Sequence, residues 1–91
     1  MNGYAWAVIV EENLGSGENR QWKVSDTHPV DGDVHAARAM AENLARNHQP
    51  RHPMSPRDRT MYRIGEDCWL VVVPGATQTF HFRVSVAQRV H

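Results

Sequence analysis

One stretch of this chain carries a helical period. From Val34 to about His48, small or apolar residues recur at spacings of three and four: Val34, Ala37, Met40 or Ala41, Leu44, Ala45 and His48. His35, Arg38, Glu42, Asn43 and Arg46 take the other face, and Arg38 and Glu42, four apart, are placed to pair. The buried stripe is mostly Ala, which lets a helix backbone approach a sheet closely. Asp31 or Asp33 stands just ahead, where a carboxylate accepts the free N–H groups of a first turn.

The remaining apolar segments read as strands. Tyr4 to Val10 places Tyr4, Trp6, Val8 and Val10 on one face and Ala5, Ala7 and Ile9 on the other. Both sets are apolar, which predicts a central strand with its large residues toward the helix or against a second layer. Asn13 to Gly17, with two glycines, predicts a turn, and Gln21 to Ser25 alternates again, with Trp22 and Val24 inward and Lys23 outward. Together these predict an antiparallel hairpin. Asp26 to Asp33 reads as a loop through His28-Pro29 and Asp31-Gly32-Asp33.

After the helix, Pro50, Pro53 and Pro56 fall every third residue, so Gln49 to Asp58 predicts an extended loop of polyproline II character. Arg59 to Ile64 alternates, Gly65 to Asp67 is a turn, and Cys68 to Val73 is a continuous apolar run suited to a second central strand. Pro74 to Thr77 turns the chain again. Gln78 to about Val90 predicts a long strand with Phe80, Phe82, Val84 and Val86 on one face and His81, Arg83 and Ser85 on the other. It outruns its neighbours, so an unpaired edge or unsupported end is expected there. That would favour homodimerisation or strand addition.

The fold class that follows is α+β: a single helix packed on a mostly antiparallel sheet of about five strands, in the order ββαβββ. The 91 residues, 41% of them hydrophobic, suffice for one core and not two, so residues 1–91 are read as a single small domain. The one cysteine, Cys68, excludes an internal disulfide and fits a reducing compartment. No basic n-region or spanning apolar run stands at the N-terminus, and a cytoplasmic location is expected. Nine of the ten basic residues are Arg, a composition that suggests a high-GC bacterial source.

Net charge is zero, yet the charges are segregated. Residues 1–33 carry six acids against two bases, while residues 34–63 carry six arginines against two acids. Either the two regions face each other or the second forms a basic surface. The densest cluster is Arg46, His48, Arg51, His52, Arg57, Arg59 and Arg63. Arginine forks hold phosphates, so this segment is the candidate nucleic-acid surface, with Tyr62 the one aromatic beside it. His52, His81, Arg59, Arg63 and Tyr62 are also the residue types of a metal-free ribonuclease. Their spacing selects no catalytic set. His48 and His52 are four apart, but the prolines break any helix that would align them on a metal. No phosphate-binding loop is found, and no cofactor is called for.

With no catalytic constellation, no metal set and no nucleotide loop, the expected function is a non-enzymatic binding module. It would be a regulatory or accessory protein acting through protein–protein contact or self-association. Nucleic-acid binding through residues 46–63 is the alternative, and ribonuclease-like chemistry the third.

Overall fold

The computed structural model describes residues 3–14, 18, 20–51, 58–76 and 78–91. Five strands and one helix follow in the order β1 (Trp6–Leu14), β2 (Gln21–Val30), α1 (Val34–Asn47), β3 (Thr60–Ile64), β4 (Cys68–Pro74) and β5 (Thr79–Gln88). They form the expected ββαβββ α+β architecture. The sheet is antiparallel throughout, with spatial order β2-β1-β5-β4-β3.

The helix starts where a carboxylate can cap it. Asp33 Oδ1 accepts the Ala36 N–H at 3.0 Å, and that contact holds the Asp33 carboxyl below its ordinary pKa. Gly32 precedes it with φ +152°, and a Cβ there would lie 2.8 Å from the Ala36 Cβ, so only glycine fits the entry turn. Ala37, Ala41 and Ala45 are the buried helix residues. They pack on a valine floor of Val8 and Val10 from β1, Val71 and Val73 from β4, and Val84 from β5, with Phe82 at its centre. Small side chains on the helix let it lie close against the bulkier valine and phenylalanine side chains of the sheet.

Several expectations are corrected. The long last strand is no edge: β5 is the central strand, paired with β1 on one side and β4 on the other. The edges are β2 and β3. The segment from Asp26 to Val30 is not a loop but the second half of β2. Pro29, paired with Ala7, is tolerated because an edge strand need not use every donor. The first strand likewise runs past Val10 to Leu14.

Trp22 and Val24 do not point inward. Val10 pairs with Asp26 but Glu11 pairs with Val24, so Ser25 is one extra residue on β2, a β-bulge. Its hydroxyl donates to the Val10 carbonyl at 3.3 Å. Because side chains alternate with period two, one inserted residue exchanges the faces of everything beyond it. Trp22 and Val24 therefore stand on the sheet face away from the helix, and Lys23, read as outward, is turned to the helix side.

Arg38 does not pair with Glu42. It reaches Asp67 at 2.8 Å and Glu66 at 3.3 Å in the β3–β4 turn, which raises its pKa further, while Glu42 takes Arg46 at 3.3 Å. The glycines of the expected first turn, and Pro53 and Pro56 of the expected extended loop, lie outside the described residues.

Candidate functional site

Two regions of the fold gather polar chemistry, one at the end of the helix and one on the far face of the sheet. At the helix end, His48 closes α1 and its ring meets Phe82 edge-on, centroids 5.0 Å apart. Its Nε2 lies 3.0 Å from Glu12 Oε2, and the Arg51 N–H donates to Glu12 Oε1 at 2.7 Å. Glu12 is only 3% exposed and is the one buried charged residue among those described. A carboxylate so placed is tolerated because both oxygens have partners.

Arg59 arrives from the start of β3 and donates to the Ala45 and His48 carbonyls, each at 2.9 Å, with its guanidinium 5.5 Å from the Phe82 ring. A helix C-terminus leaves carbonyls without intrahelical partners, and a cation there answers both the orphaned acceptors and the dipole. Beside the Glu12–His48 pair lies a cleft of about 470 Å³, lined also by Leu14, Lys23, Ser25 and Arg51.

The sequence-derived cluster is thus distributed. His48 is half-buried against Glu12, and Arg59 is committed to the helix end. Arg46 pairs with Glu42 on the exposed helix side, and Arg51 is exposed on the cleft rim. Arg63 lies over Trp69 at 5.9 Å. His52 and Arg57 lie outside the described residues. Of the residues considered for ribonuclease chemistry, Tyr62 and Arg63 sit on opposite faces of β3, and His81 is on the far face of the sheet. Among the described residues, no group of three His, Cys, Asp or Glu side chains stands close enough to hold a metal ion. No helix among them is long and apolar enough to cross a membrane.

The acidic and basic segments meet only in part. Glu12 joins the basic segment, but Glu11 pairs with the last strand.

The far face of the sheet is the second region, and sequence reasoning did not single it out. Among the described residues a single helix covers one face, so alternate residues of all five strands point the other way. Cross-strand registers place Val24, Glu11, Arg83, Leu70 and Tyr62 in one row, with Ile9, Ser85, Cys68 and Ile64 in the row beside it. On the opposite flank stand Trp22, Asn13 and Val72. Val24 is 60% exposed, Ile64 55%, Tyr62 54% and Trp22 37%. Cys68 is a free thiol, its Sγ 3.7 Å from Ser85 Oγ.

At the centre of this face Arg83 is held on two sides. Its Nε donates to Glu11 Oε1 at 2.8 Å and its Nη2 to Glu11 Oε2 at 3.2 Å, a bidentate pair between directly opposed residues of β5 and β1. Its guanidinium also lies 4.3 Å from the Trp22 ring, a cation–π contact that the bulge makes possible. The Arg83 hydrogen bond holds the Glu11 carboxyl below its ordinary pKa, against the opposing effect of burial. In turn, Glu11 raises Arg83.

A lowered native pKa means that the unfolded state binds more protons in the acid range. The stability from this pair is therefore full above the ordinary carboxylate pKa and is lost as pH falls through the lowered native value. Glu11→Gln is expected to flatten the acid limb of a stability–pH curve between roughly pH 5 and pH 3. Urea midpoints at stepped pH check this, and an unchanged acid limb would refute it.

Comparison with protein-family models, with curated proteins and with solved structures finds no match for this chain.

Proposed function

We propose that this protein is a non-enzymatic binding module that works through protein–protein contact, with the uncovered face of its sheet as the contact surface. The observation that carries the reading is the apolar composition of that face. Trp22, Val24, Tyr62 and Ile64 are exposed there, around half-buried Ile9, Leu70 and Val72. Apolar side chains exposed at both edges of one sheet face, Trp22 and Val24 on β2 and Tyr62 and Ile64 on β3, are costly in water and mark an interaction surface. Aromatic and aliphatic residues around one central arginine also match the composition of protein interfaces. The role that fits is regulatory or accessory. The arginines of the middle segment support it by their engagement: Arg38, Arg46 and Arg59 all contact the protein's own carboxylates or carbonyls.

The test is site-specific photo-crosslinking in the native cells, with a benzophenone side chain at position 24 on the open face or at position 46 on the helix. Protein adducts are expected from position 24 and not from 46. Nucleic-acid adducts, or equal protein yields from both sites, overturn the reading. A random duplex titrated at low salt adds a second check, since steeply salt-dependent binding at micromolar protein would favour a nucleic-acid surface.

A further inference from the structure

We infer that the occupant of the open sheet face is a second copy of this chain, packed face to face about a two-fold axis that runs parallel to the strands between β1 and β5. The inference rests on the reading of that face as a protein-contact surface, and it names the partner.

Charge complementarity selects this arrangement. Across the central row the charges run from Glu11 on β1 to Arg83 on β5. A two-fold axis along the strands reverses the cross-strand direction and keeps the position along them. Glu11 of one copy then faces Arg83 of the other, and Arg83 faces Glu11, so the two ion pairs close into a ring of alternating sign. The same operation exchanges β2 with β4. Val24 comes opposite Leu70 and Trp22 opposite Val72, so these apolar groups meet on both flanks, while between the flanks Asn13 comes opposite His81. An isologous interface requires this kind of self-complementarity. Displacing the axis by one strand would set the charged pair against aliphatic side chains and bury it unmatched.

Size and net charge agree. Four strands, β2, β1, β5 and β4, overlap under this operation, and at about 4.8 Å spacing with a rise of about 3.3 Å per residue they present a plane of roughly 400 Å². The accessible surface of such a corrugated face is larger, at the ~600 Å² per partner that marks the lower end of specific interfaces. Sheets stacked this way pack about 10 Å apart with strands within about 30° of each other. The chain carries no net charge, so two copies meet without global repulsion.

The experiment is sedimentation equilibrium on the wild type, on Glu11→Arg, on Arg83→Glu and on an equimolar mixture of the two variants, with far-UV circular dichroism to follow folding. The wild type is expected at twice 10.4 kDa in the tens-of-micromolar range. Glu11→Arg places four cations at the centre of its own dimer and Arg83→Glu four anions. Each alone is expected to be monomeric, with a dissociation constant raised at least ~100-fold. Mixed, the two cations of one copy face the two anions of the other across the interface, and a heterodimer is expected.

A wild type that stays monomeric to ~500 μM overturns the inference, even where position 24 crosslinks to a different protein and the contact reading stands. Variants that both remain dimeric also overturn it.

If a charge variant fails to fold, a cysteine pair decides. Val24→Cys with Leu70→Cys, in a Cys68→Ser background, is expected to give covalent dimers with a bifunctional thiol reagent of about 5 Å span, because sheets about 10 Å apart hold the facing Cα atoms beyond the ~7 Å reach of a direct disulfide. Within one chain these positions lie three strands apart, about 14 Å at the strand spacing, so the short reagent makes no internal bridge. Monomer only after treatment of that variant refutes the arrangement.

Discussion

Truncation of Phe82 to alanine is expected to lower the free energy of unfolding by about 3–5 kcal/mol, the range for removing a buried aromatic ring. Phe82 is fully buried on the central strand and pairs with Glu12 on one side and Val71 on the other. Its ring supports the His48 imidazole, and the Arg59 guanidinium lies across it. The void would therefore open beneath both groups that fasten the helix end to the sheet. Ala41 and Ala45 are too small to fill it, and a backbone already close to the sheet has little distance to close. Urea denaturation measures the loss. A change under about 1 kcal/mol would show that the ring contributes little, and a fall in the m-value would signal a loosened native state.

Glu12→Ala is expected to cost about 2–4 kcal/mol, although Glu12 is a charged residue and its removal would relieve a buried carboxylate. The reason is the asymmetry between making a buried hydrogen bond and leaving a partner without one. Glu12 accepts from the Arg51 N–H and faces His48 Nε2. Alanine leaves a backbone donor and an imidazole nitrogen unmatched beside the helix terminus. Glu12→Gln keeps an acceptor for the Arg51 N–H and can donate to the neutral imidazole, so its loss should be less than half that of the alanine variant. The comparison isolates the hydrogen bonds from the charge. Equal losses for the two variants would assign the stabilisation to the charge instead.

The elements that repeat a period were legible in the sequence. Ala37, Ala41 and Ala45 mark the inner stripe of the helix by spacing alone, and Asp33 before Val34 marks its start. Phe80, Phe82, Val84 and Val86 identify the covered face of the last strand in the same way. What was not legible arises from pairing between distant segments. Nothing local distinguishes β5 as central from β5 as an edge, because strand order depends on which partners close around it. Pro29 argued for a loop, but edge position removes the objection to proline.

The candidate site divides along the same line. An Arg- and His-rich segment is visible as composition, yet composition does not show that Arg59 caps a helix or that His48 meets a glutamate 36 residues earlier. Glu11 and Arg83, 72 residues apart, are invisible as a pair until the register of β1 and β5 is known. The open face could have been sought by counting layers. One helix covers one side of a five-stranded sheet, and the second side then needs either polar residues or a partner. Leu70, Val72 and Ile64 on alternate positions signal the lack of the first.

Ser25 connects the length of the chain to what the protein displays. Substitutions change a surface one side chain at a time, but the register of a hairpin decides the face of a whole segment at once. The bulge absorbs one residue and holds Val24 opposite Glu11 and Trp22 opposite Asn13. Deletion of Ser25 would leave the same pairs in a regular ladder, so Trp22 would stay beside Arg83. Loss of the bulge with Ser25 retained would instead set Val24 opposite Glu12, carry Trp22 to the helix side and present Lys23 in its place. In evolutionary terms this surface tolerates the loss of a codon, and what it does not tolerate is a residue the hairpin fails to absorb.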